Sequence, residues 1–156
     1  MFSWFQVPED IKQLLILAAD NWQNTSVSEA YLNQALAQTN DYIDVLVAGY
    51  RYFYYKNNYQ MALTTATKVI DKVKCSENLP DNWQQRKQIL INRKEDESIR
   101  LYLTAYASSG LVLAKLGEIE KAKIICTQIQ EIDLNNEFQS ASILLDILTR
   151  SPEEDE

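Results

Sequence analysis

The residues that could do chemistry in this 156-residue chain are few and scattered. There is no histidine, so the commonest general base and the commonest metal ligand are both missing. The two cysteines, Cys75 and Cys126, lack CxxC spacing and cannot build a Cys/His zinc site. We expect both to be buried, reduced thiols of a cytosolic protein. Three isolated glycines cannot form the Gly-rich loop that cradles a phosphate group.

Carboxylates occur in two runs, at 95–97 and 153–155. Paired catalytic carboxylates need apolar surroundings that separate their pKa values, whereas these runs are charged throughout. We interpret both runs as solvated surface. The sequence therefore predicts no catalytic residue, no metal site and no cofactor, and we expect a protein that is not an enzyme.

The charge and the apolar pattern exclude two classes of partner. Fifteen basic against 22 acidic residues give a net charge of −7, which does not attract nucleic acid or an anionic membrane. The N-terminus, MFSWFQVPED, has no basic region of a signal peptide, and no run of eighteen apolar residues could cross a bilayer. We expect a cytoplasmic protein with no nucleic-acid or membrane partner.

The composition favours helices over strands. The chain is 46% apolar, as is ordinary for a folded protein, and its length is enough to bury about 70% of the unfolded surface. It holds only three glycines and three prolines and has no tract rich in Val, Thr and Gly. Sheets need more turn chemistry than this, so we predict an all-α fold.

One helical hairpin pattern stands out in the stretch AYASSGLVLAKLGEIEKAKIICTQIQEIDLNN. Small residues, Gly110 and Ala122, occupy positions where two helices must approach closely, and Gly117 suits the turn between them. With Tyr106, Leu113 and Cys126 at the remaining offsets, the stretch resembles a tetratricopeptide (TPR) repeat, a 34-residue helix–turn–helix unit. The resemblance implies a protein that binds another polypeptide.

Two further copies precede this one. Residues 43–74 place Ala62 in the slot of Ala122, with Asn57 and Asn58 in the turn. Residues 11–40 place Ala30 in that slot, 32 residues before Ala62. The first helix of this copy starts after Pro8, and Thr25 or Ser26 offers the cap of its second helix.

The last two copies are separated by an insertion over about 75–100. Leu79 and Pro80 break the preceding helix, and Asp81 or Asn82 can cap a helix that carries Trp83, Lys87 and Leu90. The following polar stretch is a loop or a solvated helix.

The remaining elements complete the predicted architecture. A third copy over 103–136 is followed by a capping helix over about 136–149 and an acidic tail at 151–156. We predict one domain, 1–150, built as a right-handed superhelix of about three TPR-like hairpins.

The resemblance also implies a concave groove, lined by the first helix of each copy. The predicted partner-binding residues are Lys12, Trp22, Arg51, Tyr54, Tyr55, Leu111 and Lys115. The TPR clamp for acidic C-terminal tails needs Lys and Asn at slots that here hold Leu15, Ala19, Val47, Ala48 and Ala107. The groove therefore favours a peptide or helix with apolar anchors and an acidic flank, bound by an adaptor or assembly factor.

Two alternatives stay open at this point. The tyrosines of the segment YRYFYY, at 50–55, line the groove or pack on the insertion helix. The protein could instead be a structural homodimer or larger homo-oligomer that uses the insertion, or the N-terminal Phe2, Trp4 and Phe5. The succession of YRYFYY, LPDNW and RLYLTAYASSGLVLAKLG also resembles small TPR proteins encoded among nitrogen-fixation genes, a resemblance of genomic context alone.

Overall fold

The protein is all-α in every part that the structure describes. A computed structural model describes residues 7–38 and 42–132, and these contain seven helices and no strand. The helices are α1 (Glu9–Asp20), α2 (Thr25–Gln38), α3 (Ile43–Tyr55), α4 (Tyr59–Ser76), α5 (Trp83–Asn92), α6 (Glu97–Lys115) and α7 (Ile119–Ile132). The predicted fold class is confirmed.

The chain groups into two compact units, one ending at Thr65 and the other beginning at Ala66. In the first unit α2 packs against both α1 and α3, and in the second α7 packs against both α5 and α6. The prediction that 1–150 form one domain stays a prediction. The predicted capping helix 136–149, the tail 151–156 and the aromatic residues Phe2, Trp4 and Phe5 lie outside the described residues.

The α6–α7 hairpin has the predicted register. Gly117 adopts a φ of +84°, and the N–H groups of Gly117 and Glu118 donate to the carbonyls of Ala114 (3.1 Å) and Leu113 (2.9 Å). These two hydrogen bonds form the Schellman motif that ends a helix, which requires a residue in the left-handed conformation. A Cβ atom on Gly110 would lie 3.0 Å from Cγ2 of Ile125, so the two helices approach closely at this glycine.

The α3–α4 hairpin turns in the same way without a glycine. Asn57 adopts a φ of 62°, and the N–H groups of Asn57 and Asn58 donate to Tyr54 and Phe53 at 3.0 and 2.8 Å. The predicted asparagine turn is therefore confirmed. A Cβ atom on Gly49 would lie 3.1 Å from Cγ2 of Thr65, which shows close packing of α3 on the start of α4.

The second helix of each hairpin buries a face with the same spacing of i, i+4 and i+7. The buried residues are Ser28, Leu32 and Ala35 in α2, Ala62, Ala66 and Val69 in α4, and Ala122, Cys126 and Ile129 in α7. Ala30, by contrast, is exposed. The predicted register of the first copy is therefore wrong by two residues, because Ser28 occupies the slot that we assigned to Ala30.

The physical reason is an early end of α1. This helix stops two residues after Ala18, whereas α6 continues for five residues beyond Gly110. The shortened hairpin brings Ser28 opposite Ala18, and the Ser28 hydroxyl donates to the Ala18 carbonyl oxygen at 2.6 Å. The prediction that Thr25 or Ser26 caps α2 is wrong, because neither residue does so. Asn24 does so, since its Oδ1 accepts a hydrogen bond from the Val27 N–H at 3.3 Å.

The predicted insertion contains one helix and two short connections. Asn82 is the N-cap of α5, and its Oδ1 accepts from the Gln85 N–H at 3.0 Å. After α5 comes a short turn, and α6 begins at Glu97, inside the range predicted as insertion. Arg93 in this turn pairs with Glu77 and Asp96, both at 2.7 Å.

Arg86 ties α5 to its own N-terminal connection. Its Nη1 donates to the carbonyl oxygens of Pro80 (3.1 Å) and Asp81 (3.0 Å). On α6 the rings of Tyr102 and Tyr106 stack at 5.6 Å. Burial raises the pKa of Tyr102 to about 12, so its hydroxyl is neutral at physiological pH. Arg86, Tyr102 and Tyr106 therefore contribute to the internal packing of the second unit.

Candidate partner-binding cleft

The first unit contains an apolar cleft of about 280 Å³. Its walls come from α1, the α1–α2 turn, α2 and α3. The lining residues are Leu15, Ala18, Ala19, Trp22, Leu32, Ala48, Arg51, Tyr52 and Tyr55. Side chains from separate helices and one turn thus converge on one concave surface.

Helical spacing places these residues in the cleft. On α1, Leu15 and Ala19 are one turn apart and continue the stripe that begins at Lys12. On α3, Arg51 and Tyr55 are likewise one turn apart. Arg51 is exposed and brings a positive charge to a lining that is otherwise uncharged.

Trp22 closes the cleft from the α1–α2 turn. Its ring meets the Tyr52 ring edge-on, with centroids 5.4 Å apart, and Lys56 Nζ lies 4.0 Å from the Trp22 ring centroid. Lys56 also donates to the Trp22 carbonyl oxygen and, at 3.2 Å, to Thr25 Oγ1. A cation on the face of an indole ring is attractive. The indole is therefore held while 38% of the residue stays exposed.

Tyr52 is the buried aromatic residue of the cleft wall. Its hydroxyl oxygen is buried and has no hydrogen-bond partner within the described residues. A buried polar group without a partner costs about 1–3 kcal/mol. Trp22 and Phe53 pack against the ring itself, at centroid distances of 5.4 and 5.6 Å.

Three of the seven predicted partner-binding residues line the cleft, namely Trp22, Arg51 and Tyr55. Trp22 does so from the turn and not from a helix, contrary to the predicted repeat slot. Tyr55 is 69% exposed, the most open of the exposed large apolar residues in the described ranges.

The other four predicted residues do not line the cleft. Lys12 lies one turn before Leu15 on α1, and Tyr54 packs against Tyr55 and Tyr59 with centroids 5.8 and 5.9 Å apart. Leu111 is half-buried and Lys115 is exposed, both on α6 in the second unit.

Sequence reasoning missed Tyr52 and Lys56. Tyr52 falls between the predicted groove slots of α3, and the run of aromatic residues around it gave no sign of which ring would turn inward. Lys56 follows the helix directly and contacts Trp22, which is 34 positions earlier in the chain. That contact depends on how the two hairpins pack, and no local pattern encodes it.

Basic residues of the first unit concentrate at the cleft. Residues 1–65 contain six acidic residues but only three basic ones, Lys12, Arg51 and Lys56. Arg51 lines the cleft, Lys56 holds Trp22, and Lys12 shares the α1 stripe of Leu15 and Ala19. No carboxylate is among the lining residues. Arg51 is therefore the charged residue among those that line the cleft.

The cysteines do not contribute to this cleft. Cys126 is buried, as predicted, and burial raises the pKa of its thiol. Cys75 is exposed at the end of α4, so the prediction that both are buried is wrong for Cys75. Within residues 7–38 and 42–132, no group of His, Cys, Asp and Glu could hold a metal ion. None of the helices in these ranges combines the length and apolar character needed to span a membrane.

Comparison with known proteins identifies a relative of this chain. No family model matches the chain, and no solved structure matches it significantly. The chain is 32% identical over 124 residues to the "Uncharacterized 19.8 kDa protein in nifW 5'region" of Azotobacter chroococcum mcd 1. The aligned part covers 78% of this chain and 69% of the relative. This chain therefore belongs to the same protein family as the 19.8 kDa protein from the nifW 5' region of Azotobacter chroococcum.

Proposed function

We propose that this protein is a non-enzymatic protein-interaction module that binds a peptide or helix of a partner protein on its helical hairpins. The cleft in the first unit is the observation that supports this function best. It joins three predicted partner-binding residues, Trp22, Arg51 and Tyr55, on one exposed apolar surface. Aromatic and Arg side chains are the types enriched among residues that dominate binding energy.

The hairpins support a TPR-like interpretation. Two of them turn through the same Schellman ending, and all three bury a second-helix face with identical spacing. Each hairpin has a close approach between its two helices: Ser28 bonds the Ala18 carbonyl oxygen, Gly49 faces Thr65, and Gly110 faces Ile125. The TPR superhelix and its continuous groove are part of the proposal.

The size and chemistry of the cleft favour a protein partner over a small molecule. Sites for small ligands and cofactors usually have volumes of about 300–1,000 Å³ and several convergent polar groups. This cleft, at about 280 Å³, lies at the lower end of that range, and Arg51 is its one charged lining residue. A cleft of this kind suits one large side chain of a partner protein.

The relative adds genomic context to the proposal. Its name places it in the nifW 5' region, which agrees with the resemblance to small TPR proteins encoded among nitrogen-fixation genes. We propose that this protein acts as an adaptor or assembly factor for another protein of that setting in the cytoplasm.

Affinity capture of the full-length protein from its native cell tests the proposal. The captured partner is then purified, and its affinity is measured for the wild type, Arg51→Ala and Tyr54→Ala. We expect each variant to weaken binding by at least about 1 kcal/mol with the thermal midpoint unchanged. Tyr54 would act through Tyr55, the ring it supports.

Two further variants serve as controls. Lys115→Ala should weaken binding less than Arg51→Ala, and its effect should shrink as salt rises, because an exposed rim charge mainly steers encounter. Lys68→Ala removes an exposed cation of α4 and should have no effect. A tight homodimer in sedimentation that buries Arg51, Tyr54 and Tyr55 would contradict the module and favour the homo-oligomer.

A further inference from the structure

We propose that α5 and its two connections form a strap, residues 78–96, that opens from α6 and α7 as one piece while these two helices stay paired. The strap gives the second unit a closed form, which the structure shows, and an open form in which the α6–α7 hairpin remains folded. It lies in a different unit from the cleft, so it is independent of the function proposed for that cleft.

Little apolar packing holds α5 in place. Leu90 is the one buried residue among the ten residues of α5, all of which the structure describes, whereas α6 buries eight residues and α7 four. Isolated helices shorter than about 12 residues are marginal in water, so α5 depends on its contacts with the rest of the unit. The exposed residues of α5 are Gln84, Gln85, Gln88 and Asn92.

Two polar contacts of α5 converge on a single carboxylate of α7, that of Glu131. The Trp83 indole N–H donates to Glu131 Oε2 at 2.9 Å, and Lys87 Nζ lies 3.7 Å from the same oxygen. The Glu131 side chain is 39% exposed, so water competes for both interactions. Polar contacts at an exposed site stabilise the closed form only weakly.

Arg86 carries an unfavourable feature of the closed form. Its Nη1 bonds the carbonyl oxygens of Pro80 and Asp81, which belong to the strap and move with it. Its Nε is buried and has no acceptor among the described residues. Water would accept this hydrogen bond once the strap opens, so the unpaired donor favours opening.

The two ends of the strap are tied to each other. Glu77, directly before the strap, accepts hydrogen bonds from Arg93 Nη2 and from the Ser98 hydroxyl, both at 2.7 Å. Glu77 follows the last residue of α4, and Ser98 lies in the first turn of α6. The strap therefore begins and ends beside one carboxylate, and α5 can detach without displacing α4 or α6.

Opening changes what the second unit presents to solvent. Burial raises the pKa of the Tyr102 and Tyr106 hydroxyls on α6, and the nearby Arg86 guanidinium opposes this shift. When α5 detaches, these hydroxyl groups lose their cover from Arg86. The close approach at Gly110 involves residues of α7 and none of α5, so it persists. A partner that needs the uncovered surface would bind in proportion to the open population.

Native-state hydrogen exchange of the full-length, ¹⁵N-labelled protein tests the strap. Conditions are chosen so that exchange reports the opening equilibrium. The amides of Ile89, Leu90 and Ile91 report on the strap, and those of Cys126 and Ile129 report on the hairpin. We expect the three strap amides to share one protection factor, about tenfold or more below that of the hairpin amides.

Ala122→Leu separates opening of the strap from unfolding of the hairpin. It overpacks a buried contact of α7, so protection of the hairpin amides should fall about fivefold or more while that of the strap amides stays within about twofold. Val112→Ala, a truncation of a buried residue of α6, makes the same test with a smaller perturbation. Equal losses at strap and hairpin amides would overturn the inference, because α5 would then open only when the hairpin unfolds.

Glu131→Gln tests the attachment to α7. It removes the charge that faces Lys87 and weakens the acceptor of Trp83, so protection of the strap amides should fall about threefold. Glu120→Gln is the matched control, because Glu120 pairs with Lys123 of the same helix at 3.4 Å, and it should leave the strap amides unchanged. Protection that declines gradually from one end of α5, or that does not respond to Glu131→Gln, would overturn the inference, since either result would indicate fraying.

Discussion

The α1–α2 and α6–α7 hairpins each place a small residue of the first helix, Ala18 or Gly110, where the two helices approach, but different interactions join the helices. In α6–α7 the close approach is apolar, since a Cβ atom on Gly110 would lie 3.0 Å from Ile125 Cγ2, and Ala122 is fully buried. In α1–α2 a hydrogen bond from the Ser28 hydroxyl to the Ala18 carbonyl oxygen links the helices. Along the sequence, Ala122 follows Gly110 by 12 residues in α6–α7, whereas Ser28 follows Ala18 by 10 residues in α1–α2.

The difference shows what a shorter first helix allows. Because α1 ends at Asp20, no further turn of helix supplies N–H groups to its last carbonyl oxygens. Ser28 satisfies one of them, and the Asn21 side chain donates to the Leu17 carbonyl oxygen at 2.8 Å. The early end also places Trp22 in the turn, where it lines the cleft. The irregular hairpin is thus the one that carries the candidate binding site.

Overpacking the regular hairpin should have the largest effect. Ala122→Leu inserts three carbon atoms into a fully buried contact and should lower the free energy of unfolding by about 1–3 kcal/mol. Thermal denaturation measures this as a drop of about 2–4 °C per kcal/mol. Ala30→Leu, at the exposed position that the resemblance had assigned to the same slot, should change stability by less than about 0.5 kcal/mol. Equal losses in the two variants would refute the register described for α2.

Removing the hydroxyl of the irregular hairpin should have the next largest effect. Ser28→Ala leaves the Ala18 carbonyl oxygen without its donor and should cost about 1–2 kcal/mol in urea denaturation. Ser26→Ala, on the exposed side of the same helix, is the control and should be neutral. If Ser28→Ala were as stable as the wild type, the two hairpins would be held together in the same way.

The turns offer a smaller contrast. Gly117 has a φ of +84°, so Gly117→Ala places an L side chain in the left-handed region at a cost of about 1 kcal/mol. Asn57→Gly relieves the same strain at a φ of 62° but loses the hydrogen bond from the Tyr59 hydroxyl, at 2.9 Å, to its side chain. Its thermal midpoint should therefore stay close to that of the wild type. A loss of stability in Asn57→Gly as large as that in Gly117→Ala would contradict this account of the two turns.

The smallest expected effect concerns the connection before α6. The Ser98 hydroxyl and then the Arg93 guanidinium lower the pKa of Glu77 below its ordinary value of 4.5. A lowered pKa in the folded state contributes stability above that ordinary value, and the contribution is lost as pH falls through the folded pKa. Glu77→Gln should therefore reduce stability slightly at pH 7 and flatten its loss below pH about 4.5. Because the Glu77 and Arg93 side chains are partly exposed to solvent, added salt should shrink the difference.

Local patterns were sufficient for several elements of the fold. The scarcity of Gly and Pro and the helical periodicity predicted an all-α chain, and Asn57, Asn82 and Gly117 were placed correctly at a turn, a cap and a turn. Each of these depends on interactions within a few residues, which the sequence displays directly. The prediction for Ala122 was also correct, because the α6–α7 hairpin keeps the regular spacing between Gly110 and Ala122.

The same reasoning failed where a distant partner decides the outcome. Ala30 and Ser28 are both small residues near the start of α2, and only the end of α1 selects which one faces Ala18. The prediction that both cysteines are buried likewise held for Cys126 and failed for Cys75, which is exposed.

The sequence alone determined the helices, two of the three hairpin registers and the absence of histidine-based chemistry. Tertiary structure alone decided that Trp22, Arg51 and Tyr55 share one cleft with Tyr52, and that Lys56 lies on the indole ring. Helix formation is governed by neighbours one turn apart, so it can be read along the chain. A cleft depends on packing between residues more than thirty positions apart, where small differences in helix length change which side chains meet.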